Sequence, residues 1–442
     1  MSSKFGLHTE YIKHDSDKPV EKLQLLIKSE HNIELSPEGI TSFMTFRYPI
    51  GKQTMFKNIY RVPFGYEFEN GSYKKTWTPK FSTQNIDIKI AIERIEERLF
   101  EKIESATKKK EIGIVLSGGL DSSLVVALAR KLYPMKKIRT YTVGFVGDNE
   151  FEYAKLIADL FNTDHNEIEL AIDDYLGEKS MIKELIDHKC EPLHPNELAL
   201  AYAEKKASED GCEVILCGEG ADDIFGGYGR NLRMYLNFKG SSIEDFLEFF
   251  LDNYRYFTLE ERKQFIKQEY LVDDLKLSLG ELTLEDFPVR LEDAALYITQ
   301  RLHTPGLITR GLNAITYNGL EGCFPFLDDK LVELVNSLPF EYKVCWKDEE
   351  SRINAKGLNF REISENYDIP KYILKKTAEK YLPEEIIYRK KYGFPVPFES
   401  WMKGINSWDL SRKVFVTNDI SSLSGWKKFM LINLDLFVKE FF

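Results

Sequence analysis

Long apolar runs are the first thing this chain of 442 residues lacks. No stretch approaches the ~18 uncharged apolar residues of a membrane-spanning helix. The N-terminus shows no charged stretch followed by an apolar one, so neither a membrane partner nor a secretory leader is expected. Paired cysteines are also missing. Cys190, Cys212, Cys217, Cys323 and Cys345 are odd in number, and no two are spaced like metal ligands. That argues against a disulfide framework or a zinc site and for a reducing, cytoplasmic setting. An excess of positive charge is absent as well: the net charge is −11, which speaks against a broad nucleic-acid surface. The basic runs Lys108–Lys110 and Arg389–Lys391 are then solvated faces or one local pocket. There is no internal repeat and no low-complexity linker. With 43% hydrophobic and 30% charged residues, the chain has ordinary globular composition and length for a large core.

The most informative stretch is Ile112-Gly-Ile-Val-Leu-Ser117-Gly118-Gly119-Leu120-Asp121-Ser122-Ser123. An apolar strand pattern ends in a Gly-rich turn, and an apolar helical pattern starts directly after it. Such a turn aims backbone N–H groups and the positive end of a helix at one point, which makes an anion site. Hydroxyls of Ser117, Ser122 and Ser123 add donors, and Asp121 can hold a Mg²⁺ bridging phosphates. No lysine follows the glycines, so this is not the Gly-x-x-x-x-Gly-Lys phosphate loop.

Around this stretch strands and helices alternate. Strand patterns cover 112–116, 140–145, 166–170 and 213–217, with helical patterns at 122–132, 150–161, 182–188 and 197–210. The expected fold class is α/β, with right-handed crossovers, a parallel sheet and ligands at the carboxyl ends of the strands. Residues 1–86, rich in aromatics and Pro/Gly turns, read as a short β-rich segment. Residues 87–442 read as the main unit, helical beyond 232. A second signature, Cys217-Gly218-Glu219-Gly220-Ala-Asp222-Asp223-Ile-Phe-Gly-Gly-Tyr228, also follows a strand. Its three carboxylates would be costly in an apolar core without a cation, which pairs Asp222 with Asp121 around one Mg²⁺.

These stretches resemble the synthetase domain of the asparagine synthetase B family, whose loop at 117–123 is that of ATP pyrophosphatases. Further similarity lies at Asn149–Ala154, Thr163–His165, Glu191-Pro192, Glu321 with Pro325–Asp328, and Arg389-Lys-Lys391-Tyr-Gly393-Phe394. The resemblance implies a five-stranded, doubly wound sheet of the adenine nucleotide alpha hydrolase type. It also implies a reaction: a carboxylate takes the AMP of ATP, releasing pyrophosphate, and ammonia or an amine then displaces AMP. Carried over residue by residue, ATP contacts fall on Ser117–Ser123, on Val143, Gly144 and Phe145, and on Gly218 and Gly220. Lys391 and Lys371 would neutralise phosphate charge, and Glu219 would serve the incoming amine. The acceptor pocket would hold Tyr228, Thr316, Glu321 and Cys323.

Three departures qualify the resemblance. Members of the family begin with a catalytic cysteine of a glutaminase domain; here position 2 is Ser2, and residues 1–86, of which 34–80 resemble the connector, precede the synthetase part. Ammonia is then expected free, from a separate glutaminase, or as an amine in the substrate. Cys323 stands where an arginine is usual, and Leu312–Tyr317 replaces an Asp-Arg-x-Ser-Met-Ala segment, so the acceptor need not be aspartate. A small-molecule or peptide carboxylate, a β-lactam or lasso-peptide precursor and a sugar acid all suit the same chemistry. Asp223 replaces a glutamate, a change expected to tune magnesium geometry. Other adenylating activities, and an inactive nucleotide-binding scaffold, are the competing classes. Oligomeric state is not legible.

Overall fold

The structure, a computed structural model, describes residues 4–5, 7–16, 18–29, 32–391, 393–394 and 396–442. Ser2, and Tyr392 of the basic stretch, lie outside the described residues. At the centre is a parallel sheet of five strands: β1 (Ile112–Val115), β2 (Ile138–Phe145), β3 (Asp164–Leu170), β4 (Val214–Leu216) and β5 (Glu321–Cys323). The order is β3-β2-β1-β4-β5, and every neighbour pair is parallel. The central strands β1 and β4 are wholly apolar or glycine, as suits strands covered by helices on both faces. Edge strand β3 is mostly polar, Asp-His-Asn-Glu-Ile-Glu-Leu, as suits an exposed edge.

The helices that build the site are α1 (Ile88–Thr107), α2 (Leu120–Leu132), α3 (Phe151–Leu160), α4 (Glu197–Glu209), α5 (Thr304–Tyr317), α6 (Tyr372–Ala378) and α7 (Gly425–Phe441). Helix α1 packs on α2 and α6, while α4 packs on β2 and α5. Ile112, Ile114, Leu124, Val125, Leu128, Ile138 and Leu216 form the centre of the first core cluster. Right-handed crossovers take the chain outward from β1 to β3 and then back to β4. The strand order therefore reverses between β1 and β4, and at such a reversal the loops diverge and leave a crevice at the carboxyl ends. Both signature loops open there.

Two features add to the expectation. The segment before residue 87 carries the expected strands and is helical besides. It holds two antiparallel strand pairs, Tyr11–Lys13 with Ile59–Arg61 and Tyr66–Glu69 with Ser72–Lys75, and also the helix Pro37–Phe46. Ser36 caps that helix by accepting from the Gly39 N–H, and Pro37 starts it. Its apolar face, with Ile40, Phe43 and Met44, shares a core cluster with Leu431, Leu434 and Phe437 of α7. Second, Glu321–Cys323, which carries no strand pattern of its own, is an edge strand of the sheet. Three residues are too few to show alternation, and pairing with Val214–Leu216 sets their conformation. Among the described residues no helix is long and apolar enough to cross a membrane.

Candidate active site

The turn after β1 is fixed by close packing. Gly118 has φ +69°, and a Cβ there would lie 2.6 Å from the Ala154 backbone nitrogen. Gly218, after β4, approaches so closely that a Cβ would sit 2.8 Å from the Ser122 nitrogen. The two loops are thus in backbone contact, and neither glycine tolerates a side chain. Within the first loop the Ser117 N–H donates to Ser122 Oγ at 3.1 Å, and the two hydroxyls lie 3.1 Å apart. Helix α2 begins at Leu120 with Gly119 as its cap and no side chain filling the cap position, which leaves its first N–H groups for a ligand. Ser123 is fully buried and turned inward, so its hydroxyl is not presented to the crevice as expected.

Four side chains meet between the loops. Lys371 Nζ lies 2.9 and 2.8 Å from the two oxygens of Asp121 and 2.9 Å from Asp222 Oδ1. On the far side Lys391 Nζ donates to Asp222 Oδ2 at 2.7 Å. Lys371 caps α6 with φ +54°, a left-handed conformation unusual for lysine that turns the chain into the crevice. Asp121 and Asp222 titrate as a pair around one shared ammonium. Burial opposes ionisation of Asp222, but Lys371 and Lys391 outweigh it and hold its carboxyl well below the usual range. Burial pushes Asp121 up, against the pull of Lys371 and with the charge of Asp222 adding to the push. Burial works against the Lys371 ammonium too, yet the two carboxylates raise its pKa.

These two carboxylates suit a magnesium ion that arrives with a nucleotide, since Mg²⁺ is commonly held by one or two carboxylates plus phosphate oxygens and water. Among the described residues no group of three or more His, Cys, Asp or Glu side chains is placed to hold a metal ion. Asp223 is not part of this set. It is fully buried, accepts from Thr304 Oγ1 at 2.6 Å, and burial pushes its carboxyl up to about 7. Its shortened side chain therefore fits the helix α5 start instead of tuning magnesium.

The basic stretch folds over the first loop. Arg389 pairs with Glu150, lies 4.0 Å over the Tyr153 ring, and its guanidinium donates to the Gly118 carbonyl at 3.4 Å. Beside it, at the end of β2, Gly144 leaves no room for a side chain, with Asn149 Cβ 2.5 Å from a built Cβ. The Phe145 ring is buried among Phe394, Trp401 and Tyr175, so this residue can offer a nucleotide its backbone but not its ring. Val143 is partly buried in the same strand.

The acceptor side departs from the expectation. Glu321 pairs with Lys110 at the amino end of the sheet, aligned with Val214, the first residue of β4. Thr316 is exposed in the last turn of α5, its hydroxyl bonded to the Leu312 carbonyl at 2.7 Å. Both lie at the wrong end of the sheet, because α5 runs down to the start of β5. Cys323, at the carboxyl end, is buried, and its carbonyl accepts from the Cys217 N–H at 2.9 Å. Only Tyr228 of the four reaches the crevice, with Lys391 Nζ 4.8 Å from its ring centre.

Residues not foreseen gather beside Glu219. Arg310, in the middle of α5, donates to Glu219 Oε1 and, at 3.4 Å, to His194 Nδ1. Glu219 Oε2 is buried with no hydrogen-bond partner among the described residues. Burial first, then the nearby Arg47, lowers the Arg310 pKa to about 10. An anchoring network holds His194: Glu197 accepts from the His194 backbone N–H at 2.9 Å, from Lys189 at 3.0 Å and from Asn313 at 2.6 Å. An arginine inside the apolar run Leu307–Ile315 was the signal available for Arg310.

The sequence model described as asparagine synthase matches residues 95–427. Asparagine synthetase [glutamine-hydrolyzing] 1 of Bacillus subtilis is 23% identical over 427 residues, covering 87% of this chain and 63% of the relative. A putative asparagine synthetase [glutamine-hydrolyzing] 1 of Methanocaldococcus jannaschii is 27% identical over 318 residues, covering 68% of this chain and 49% of the relative. The chain thus spans less than two thirds of the length of either relative. Among solved structures, the NMN synthetase from Francisella tularensis aligns with 33% of this chain and 60% of its own, at 15% identity and a TM-score of 0.23.

Proposed function

Because the chain belongs to the asparagine synthase family, we propose that it is an ATP-dependent carbon–nitrogen ligase that activates a carboxylate as its adenylate and couples it to ammonia or an amine. The observation carrying this reading is the contact of the Ser117–Ser123 and Gly218–Asp222 loops, with Lys371 bonded to a carboxylate of each. Mg²⁺ bound at Asp121 and Asp222 would supply charge neutralisation on the departing phosphates.

The chain's own residues divide the remaining work. Free N–H groups at the start of α2 and the Ser117 and Ser122 hydroxyls cradle the β and γ phosphates. Lys371 and Lys391 face the α-phosphate as pre-organised positive charge, which stabilises the in-line displacement in which an acid oxygen bonds to phosphorus and the bridge to pyrophosphate breaks. Val143–Phe145 and Gly218–Gly220 line the nucleoside end with backbone. Arg389, tied to Glu150 and Gly118, closes the crevice against water. Glu219, oriented by Arg310, takes the proton of the amine as nitrogen attacks the acyl carbon and AMP leaves.

We take residues 87–442 as the ligase unit, residues 1–86 as a segment packed on it, and the cytoplasm as the setting. The nitrogen comes as ammonia, free or from a glutaminase, or from an amine of the substrate itself, as in β-lactam or lasso-peptide closure. Sugar-acid amidation uses the same steps. The full set of loop, lysine and carboxylate groups speaks against an inactive scaffold. Incubation with ATP, magnesium, ammonium and a pool of carboxylic acids is expected to yield AMP and pyrophosphate. Formation of ADP and phosphate would overturn the reading.

A further inference from the structure

Lys371 reaches both signature carboxylates from a backbone that is fastened outside the crevice. The residue follows the strand Asp368–Pro370, which pairs antiparallel with Val344–Trp346. Two strands of three residues each are marginal by themselves. One buried side chain grips both. Arg233, directly after the helix Gly229–Leu232, donates from Nε to Asp368 Oδ2 at 2.7 Å and from a terminal nitrogen to the Val344 carbonyl at 3.2 Å. Its guanidinium lies over the Trp346 ring at 3.5 Å. Arg233 is 2% exposed and Asp368 1%, and the other Asp368 oxygen accepts from the Glu365 N–H at 2.8 Å. Register explains why the Val344 carbonyl is open to Arg233. The Lys347 N–H donates to the Tyr367 carbonyl, and hydrogen-bonded pairs alternate along an antiparallel ladder. Val344 and Pro370 therefore face each other without backbone bonds, and their carbonyls point away from the ladder.

Arg233 is also the continuation of the second signature, whose chain packs on the same two strands. A Cβ at Gly227 would collide with Asp222 Oδ1. One at Gly226 would lie 3.0 Å from the Val344 side chain, and one at Gly229 would lie 3.0 Å from the Pro370 ring. These contacts close a circuit. It runs from Asp222 through Gly226 and Gly229 to Arg233, crosses to Asp368, and follows the strand to Lys371. The Lys371 ammonium then returns to Asp222 at 2.9 Å.

We propose that Arg233 is a positioning residue of the adenylation step, holding through Asp368 the backbone from which Lys371 meets the α-phosphate. This rests on the ligase reading above. In that reading Asp121 and Asp222 turn toward magnesium and phosphates, and Lys371 then has only its backbone to place it. That backbone sits at φ +54°, which a lysine keeps only where the surroundings fix it. A buried ion pair is a poor source of net stability compared with apolar residues of its size; here it supplies a fixed geometry. Arg233 is too deeply buried to touch either substrate, so its whole effect passes through Lys371.

The test is a double-mutant cycle on the full chain. It is read as exchange of pyrophosphate into ATP, with an acid-soluble cell extract as the source of acceptor acids. Arg233→Gln is expected to lower the exchange rate at saturating ATP about 30-fold, with the KM for ATP changed less than about threefold. Arg233→Lys, which keeps a charge beside Asp368, should recover part of the loss. In a Lys371→Ala background, Arg233→Gln should cost less than about twofold. Without nucleotide, amide hydrogen exchange over residues 368–375 should quicken in Arg233→Gln while that of β1 and β4 stays as it was. The same loss in both backgrounds, an unchanged rate in the folded variant, or unchanged hydrogen exchange over 368–375 would overturn the inference. Should Arg233→Gln fail to fold, Asp368→Asn, which keeps an oxygen for the Arg233 Nε–H, enters the same cycle under the same criteria. If the extract supports no exchange by the unaltered chain, the ligase reading itself fails, which is a different result.

Discussion

At the proposed phosphate end of the crevice every charge has an answer, whereas at the proposed acceptor end two arginines, Arg47 and Arg310, have one ion-paired carboxylate between them among the described residues. Asp121, Lys371, Asp222 and Lys391 form an alternating row of carboxylates and ammonium groups. Of Arg47 and Arg310 only Arg310 is ion-paired among the described residues, with Glu219, and the His194 ring beside them is kept neutral by burial. The first set balances itself in the free protein, so in the proposed reaction a nucleotide and its magnesium would exchange partners with it rather than fill a deficit. The second set is left short of one anion. The two ends also differ in descent along the chain. Asp121 and Asp222 stand in contiguous strand-turn motifs, while the acceptor end gathers residues 47, 194, 219 and 310 from four separate elements.

That difference can be broken from either side. The largest effect is expected from Lys371→Ala, which removes the ammonium between two partly buried carboxylates. Pyrophosphate exchange should fall by about 10³-fold, measured at saturating ATP and magnesium. A loss of less than tenfold would show that the alternating row is structural. Next comes Arg61→Ala. Arg61 is fully buried, pairs with Glu191 and donates to the Pro49 carbonyl at 3.1 Å, fastening the turn that follows Arg47. Losing one partner of a buried pair costs about 3–5 kcal/mol, measurable by urea unfolding. Where the variant stays folded, ATP binding should persist while acceptor saturation is lost, because the phosphate end does not depend on this turn. Arg389→Ala should have the smallest effect, raising the KM for ATP about tenfold through loss of a partly exposed pair while leaving the acceptor KM within about twofold. An equal change in both would mean that the two ends are not separable.

The same contrast explains what the sequence disclosed. Ser117–Asp121 and Gly218–Asp222 were legible because strand, glycine turn and helix start are encoded in consecutive residues, and the geometry follows from local rules. Arg310 was not, because one arginine in an apolar helical run looks the same whether it faces solvent or a buried glutamate. Thr316 and Glu321 were misplaced for a related reason: the direction of α5 relative to the sheet decides which end they occupy, and nothing in Leu312–Cys323 announces it. The helix Pro37–Phe46 was hidden by its Thr and Phe content, typical of strands, although Ser36-Pro37 is a helix start. Asp223 was expected to tune the magnesium geometry set by Asp222, yet successive residues of a helix point about 100° apart.

The central claim is that an acid oxygen bonds to the α-phosphorus. The most direct measurement uses an acceptor acid labelled with ¹⁸O in its carboxyl group, incubated with the enzyme, ATP, magnesium and ammonium, with the nucleotide product analysed by mass spectrometry. An acyl-adenylate leaves one ¹⁸O in AMP, and the pyrophosphate stays unlabelled. Unlabelled AMP, or label in inorganic phosphate alongside ADP, would contradict the account.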